Sequence, residues 1–339
     1  MGDRGTPSII NHLNETIMTL NEMNVIVFKG KLSLVGLERM KNAGVLPKLH
    51  DIASSDLKTI REVTNEWKST FVGRFVFKNP RYYGLIERVT KAIGKIPEWE
   101  DFTKQNIDSI IEMFQQGAPS SARTYLAMMK SVLNDAKDEV ELPYARFSER
   151  MSMKATPSVG VYLNMGELKR LEEYKPESES ERIILAQFLC GCYTGARHSD
   201  ILQMSVDNIT DGFLTYVSQK TKIQATVEAK PSLVKLLPVA GRHVYCDSVF
   251  NETIRTICEK VGIDEQTKVF RKGRYETGPK WMFVASHTAR RSFATNLALL
   301  DVPILQISKR MGHASTEQSC RYIVSGTTKL DKGAMKFFS

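Results

Sequence analysis

The chain has 339 residues, 42% hydrophobic and 25% charged, the balance of a soluble globular protein with more than one core. Lys and Arg outnumber Asp and Glu by 47 to 38, a net charge of +9 that favours a polyanionic partner such as nucleic acid. No stretch approaches the roughly 18 uninterrupted apolar residues of a membrane span, and the odd count of five cysteines (Cys190, Cys192, Cys246, Cys258, Cys320) follows no metal-ligand spacing, so a cytoplasmic protein without a bound metal is expected.

Residues 1–90 are the least legible. Ile10, Leu13, Ile17, Leu20 and Met23 recur at helical spacing, and "FVGRFVF" reads as a short strand or a buried turn. No motif appears there, and an accessory DNA-binding module or a scaffold is expected. From 91 to 151 two helices follow. "TKQNIDSIIEMFQQG" is stopped by Gly117, and "APSSARTYLAMMKSVLNDAKDE" is capped by Ser120 or Ser121. The second has an apolar stripe of Tyr125, Met128, Met129, Val132, Leu133 and Ala136. Arg123, Lys130 and Lys137 are left to solvent or to phosphate, and spacing alone favours solvent. Small residues and a proline mark a linker at 152–161.

Beyond the linker, Asn164 and Glu167 form a capping box. "ERIILAQFLCGCYTGARHSDILQMSVDNI" reads as a buried helix, a glycine break and a second helix, with Cys190 and Cys192 as core thiols. "FLTYVSQKTKIQATVEA" predicts a β-hairpin with its tip near Lys220 to Lys222. "HTARRSFATNLALL" is helical, with Phe293, Leu297 and Leu300 inward. "DVPILQISKRMG" is a helix capped by Asp301 and ended by Gly312, and a capping box from Ser315 to Gln318 starts a short helix beside Tyr322. The fold class is therefore mainly α with one small β-sheet: a helical domain followed by an α+β domain at 162–326 and a tail at 327–339.

Four separate segments carry polar groups that their patterns do not require. Arg197 follows the glycine break, and Lys220 sits at the hairpin tip. His287 and Arg290 share one helix face. His313 follows a helix end, and Tyr322 comes after it. Singly, each reads as a surface or packing residue. Together they supply a phosphoryl transfer: two guanidiniums to clamp a phosphodiester, a tyrosine nucleophile, a lysine to protonate the departing alkoxide, and two histidines for proton transfer and hydrogen bonding. No carboxylate cluster for Mg²⁺ lies near these motifs, so charge neutralisation falls to the arginines.

The order Arg…Lys…His-x-x-Arg…Gly-His…Tyr resembles the tyrosine recombinases, or phage integrase family. "TGARHSDILQMSVDNI" is similar to the family's first arginine box. "SHTARRSFATNLALLDVPILQISKRMGHASTEQSCRYI" is similar to its second, so that the likeness covers about half the chain. Less specifically, "SSARTYLAMMKSVLNDAKDE" resembles the helical core-binding domain that precedes the catalytic one. Ala196 departs from the bulkier residue usual between Gly and Arg in the first box.

The resemblance implies a site-specific recombinase acting on double-stranded DNA, without a cofactor, as a homotetramer passing through a Holliday junction. Tyr322 would form a 3′-phosphotyrosyl bond, Arg197 and Arg290 would hold the phosphate, and His287 would assist Tyr322. His313 would hydrogen-bond the phosphate. Lys220 would be the general acid, although Lys222 is close enough to take the role or to bind DNA. Integration or excision of a phage or mobile element is the expected task, with room for DNA-bending accessory proteins. The tail is expected to dock on a neighbouring protomer. Rival readings are a catalytically idle DNA-binding regulator of the same fold and a type IB topoisomerase. The extra residues 1–90 speak against a compact chromosome-dimer resolvase.

Overall fold

The computed structural model describes residues 20, 24–25, 28–30, 32–47, 57–155, 160–271 and 273–324. The helix expected around Ile10 to Met23 lies outside these residues except for Leu20, and so does the tail at 327–339. The chain is mainly helical with small sheets and divides into two compact units, 1–156 and 157–339.

The first unit is built from α1 (Leu34–Asn42), α2 (Leu57–Ser69), α3 (Phe71–Lys78), α4 (Gly84–Ile93), α5 (Lys104–Gln115), α6 (Pro119–Ala136) and the short α7 (Phe147–Arg150). One core runs from Leu20 to Met151, so described side chains on both sides of residue 90 pack together rather than forming separate bodies. Phe71, Phe75, Phe102 and Phe114 anchor it, with the Phe71 and Phe102 ring centroids 4.5 Å apart. "FVGRFVF" is the helix α3, neither strand nor turn. Thr70 caps it by accepting the Gly73 amide, and Phe71, Val72, Phe75 and Val76 share one buried face while Phe77 and Lys78 are exposed. In α6 the cap is Ala118 with Pro119 in the first turn, so neither Ser120 nor Ser121 serves. The buried stripe of α6 is Ala122, Leu126, Met129, Val132, Leu133 and Ala136, with Tyr125 and Met128 at its margin.

The second unit is organised around α9 (Glu179–Thr194), which follows α8 (Met165–Glu173). Ser178 caps α9 at its start, and Gly195 ends it in the left-handed conformation (φ 65°). Nearly every side chain from Ile183 to Cys192 is buried, because α11 (Pro231–Ala240), α12 (Asp247–Lys260) and α13 (Ser286–Leu299) all pack against α9. Cys190, Cys192 and Cys258 are buried thiols, and burial pushes Cys190 up to about 12. The capping box between Asn164 and Glu167 forms at the start of α8, with both reciprocal hydrogen bonds present.

After the short α10 (His198–Ile201) come β1 (Ile209–Thr210), β2 (Phe213–Val217) and β3 (Gln224–Glu228), an antiparallel sheet in that order. Leu214 opposite Val227 and Tyr216 opposite Ala225 face inward, and the tip falls at Lys220 to Lys222 as the sequence predicts. A second hairpin, β4 (Gln266–Arg271) with β5 (Arg274–Pro279), corrects the expectation of a single sheet. Only Val269 and Gly278 of its strands are buried, so no alternating apolar pattern announced it.

The last helices are α14 (Ile304–Arg310) and α15 (Thr316–Cys320). Three local expectations fail here. Leu300 is 64% exposed rather than inward. Asp301 adopts a positive φ of 59° in a turn, and Pro303 occupies the cap of α14. Ser315 caps α15 without a side-chain hydrogen bond, so the expected capping box does not form.

Candidate active site

The glycine break between α9 and α10 aims the first arginine. Arg197 is the cap residue of α10, and its Nη1 donates to Ser218 Oγ at 2.6 Å. Ser218 Oγ in turn donates to Asp200 Oδ2 at 3.0 Å, and Asp200 Oδ1 accepts the Gln219 amide at 3.0 Å. The buried Asp200 carboxylate, 3.9 Å from Arg197 Nη1, thus holds both the arginine and the first residues of the hairpin turn. Asp200 and Ser218 went unrecognised in the sequence. The i,i+3 spacing of Arg197 and Asp200 is a signal for the former, whereas nothing local marks the latter.

Arg290, on α13, is 1% exposed and has no ion-pair partner among the described residues. Its Nη1 donates to the Gly195 carbonyl, its Nη2 contacts His313 Nε2 at 2.5 Å, and its Nε is buried without any acceptor. Burial lowers its pKa, with Tyr322 and Tyr216 opposing that shift. A buried guanidinium with an orphan donor is short of an anion. Arg197, His287 and Arg290 line one open cleft together with Tyr245, Cys246 and Asp247.

His313 is held from both sides. Because a guanidinium only donates, His313 Nε2 must be the acceptor and Nδ1 must carry the proton. That proton goes to Ser319 Oγ at 2.7 Å, Ser319 passes its own to Ser308 Oγ at 2.7 Å, and Ser308 donates to the Ile304 carbonyl at 2.9 Å. Every donor in this chain has an acceptor. Burial, then Arg290 and Arg197, lowers the imidazole to about 4, so it is neutral at neutral pH.

Tyr322 reaches this cluster from the turn after α15. Its ring stacks on His313 at 5.3 Å between centroids, lies 6.3 Å from the His287 ring, and has the Arg290 guanidinium carbon 4.9 Å from its centroid. His287 has an exposed edge, but the dense protein on its other side lowers its pKa, and Arg290, Arg291 and Arg197 act in the same direction.

The structure therefore brings Arg197, His287, Arg290, His313 and Tyr322 together, and it leaves Lys220 and Lys222 at the rim. Both lysines are exposed, and neither ammonium makes a hydrogen bond or ion pair among the described residues. Their turn is nevertheless pinned beside the cluster, since Thr221 Oγ1 donates to the Gly312 carbonyl at 3.1 Å. Among the other tyrosines, Tyr245 lines the cleft beside Arg197 and His287. Tyr216 is buried and pushed up to about 12, and Tyr275 meets Phe270 edge to face in the second hairpin. In the first unit, Arg123 and Lys130 line a groove with Lys78, which the sequence reading passed over, while Lys137 is exposed at the end of α6. Among the described residues no group of three His, Cys, Asp or Glu side chains is arranged to hold a metal ion, and no helix is long and apolar enough to cross a membrane.

No curated protein matches the chain by sequence. Solved structures share its fold at low identity. The XerH site-specific recombinase bound to its palindromic difH substrate, in a post-cleavage complex, superposes with a TM-score of 0.52 at 13% identity over 97% of both chains. A lambda integrase tetramer bound to a Holliday junction gives 0.51 at 14% identity over 95% of this chain and 88% of that one. The Tn1549 transposon integrase in complex with a circular intermediate DNA gives 0.53 at 12% identity over 78% and 98%. Residues 162–328, which contain all the side chains converging on Tyr322, match the model of the phage integrase family, and through them the chain belongs to that family of tyrosine recombinases.

Proposed function

We propose that the protein is a site-specific DNA recombinase that cuts and rejoins DNA through Tyr322, moving a phage or other mobile element. The observation that carries this reading is the packing of Tyr322 against His313 and the acceptor-poor Arg290, whose guanidinium lines a cleft with Arg197 and His287. A phosphodiester entering there would take hydrogen bonds from both guanidiniums. Tyr322 Oη attacks phosphorus, the bond from phosphorus to O5′ breaks, and the proton of the phenol passes to a neutral acceptor, for which His287 is suited. Lys220 or Lys222 supplies the proton that O5′ needs. A second 5′-hydroxyl then reverses the reaction on the phosphotyrosine, so bond energy is conserved and no cofactor is consumed.

His313 has a more particular part. With its Nε2 occupied by Arg290, it cannot donate to phosphate in the free protein. Arrival of the phosphate turns the guanidinium away and favours a protonated imidazole, because an adjacent anion raises the pKa. The Holliday-junction complex of lambda integrase supports a tetramer as the working assembly. The groove around Lys78, Arg123 and Lys130 is proposed to bind the DNA backbone.

The test begins by selecting a preferred duplex from a randomised pool and placing a nick beside the cleavage point. Wild-type protein should become covalently joined to that DNA, and Tyr322→Phe should bind it without joining. An adduct that survives the substitution sinks the assignment. Binding without any wild-type adduct favours the idle regulator, and relaxation of supercoils without strand exchange favours a topoisomerase.

A further inference from the structure

We infer that Arg291, kept in its conformer by Gly160, is a positioning residue for the Tyr322 segment; the inference rests on Tyr322 being the nucleophile. The helix α13 holds two chain segments through two i,i+4 pairs. Ser292 Oγ accepts the Leu163 amide at 2.8 Å, and Asn296 Nδ2 donates to the Leu163 carbonyl at 2.9 Å, which fixes the irregular segment before α8. The neighbouring pair, Arg291 and Thr295, holds the C-terminal segment. Arg291 Nη1 donates to the Arg321 carbonyl at 3.1 Å, and Thr295 Oγ1 accepts the Val324 amide at 3.0 Å.

The Arg321 carbonyl belongs to the peptide plane that leads directly into Tyr322, so this hydrogen bond sets where the ring departs from the backbone. The Arg291 guanidinium carbon also lies 5.9 Å from the Tyr322 ring centroid. Local structure alone would not hold the tyrosine. The five-residue α15 lacks a side-chain cap, and a helix that short does not persist by itself.

Gly160 explains why Arg291 adopts this path. A Cβ at residue 160 would lie 2.7 Å from Arg291 Nε and 3.2 Å from its Cδ and Cζ. The requirement is one of space. The atoms in the way belong to a flexible arm, so an alanine would be accommodated by moving the guanidinium at little cost to the fold. Gly160→Ala thus perturbs Arg291 without touching the cleft.

Arg291→Met and Gly160→Ala should both speed amide exchange over residues 316–324 of the free protein while leaving the melting temperature and the affinity for the selected duplex unchanged. Single-turnover cleavage of the nicked duplex should slow on the order of 10–100-fold, the scale of a misplaced reacting group, and Arg291→Lys should restore part of it. A second arm separates positioning from phosphate binding. In a Tyr322→Phe background, hydrogen peroxide replaces the phenol: its anion attacks phosphorus and expels O5′, which takes up a proton. Arg291→Met should leave that reaction intact, whereas Arg290→Met should abolish it. Unchanged amide exchange, or a peroxide reaction slowed as much as the tyrosine reaction, overturns the inference. Failure of the wild type to form any adduct overturns the recombinase reading instead, and amide exchange still decides whether Arg291 and Gly160 hold the segment.

Discussion

The neutrality of His313 can be tested by replacing it with Gln, which keeps an acceptor for Arg290 but cannot titrate. Burial and the neighbouring arginines hold the folded imidazole at about 4, against roughly 6.5 in an unfolded chain. Between those values the unfolded chain binds a proton that the folded one refuses. The stability from this group is therefore present above about pH 6.5 and lost as pH falls towards 4. With these two values the loss between about pH 7.5 and pH 5 is roughly 2 kcal/mol. His313→Gln should escape that loss, so the wild type's advantage over the variant should shrink by this amount, while groups that titrate alike in both cancel. Urea unfolding at each pH, read from resonances of the second unit, measures the difference, and the imidazole C–H shift of His313 reports its titration directly. A midpoint near 6.5 together with a pH-independent stability gap would refute the reasoning, because the imidazole would then be neither desolvated nor engaged by Arg290.

Other outcomes follow from the same contacts. Gly195→Ala should destabilise the second unit by about 2–4 kcal/mol in urea unfolding, since it combines a left-handed φ of 65° with a Cβ placed 2.4 Å from Phe293 Cδ1. It should also depress cleavage, because the Gly195 carbonyl holds Arg290. Lys280→Met should cost about 3–5 kcal/mol, measured the same way: Lys280 Nζ bonds both Glu167 oxygens at 2.8 and 2.7 Å, both residues are buried, and the substitution would leave an unpaired carboxylate. Lys220→Ala should slow cleavage of an ordinary phosphodiester and recover with a 5′-thio leaving group that needs no proton. If Lys222→Ala alone behaves in that way, the general acid is Lys222.

Much of the site was legible because its signals are local. The left-handed Gly195 before Arg197, the capping box of α8 and the hairpin under Lys220 are decided within a few residues, by sterics and by short-range hydrogen bonds. Where local pattern is weak, sequence reading failed. The second hairpin is exposed nearly all along and has no periodicity to read, whereas the i,i+4 recurrence of Phe71 with Phe75 and of Val72 with Val76 in α3 spans only eight residues, rich in the Phe and Val that also favour strands.

By itself the sequence determined which polar side chains were available to the candidate site, and the family to which the chain belongs. It could not determine their states. That Arg290 shares its proton donors between Gly195 and His313, that Asp200 and Ser218 aim Arg197, and that Arg291 grips the peptide before Tyr322 are contacts between residues far apart along the chain. Such contacts exist only once α9 and α13 are packed together, because burial is what makes an unpartnered guanidinium costly and a neutral histidine favourable. Tertiary structure therefore decided the protonation, orientation and support of groups that the sequence had already supplied.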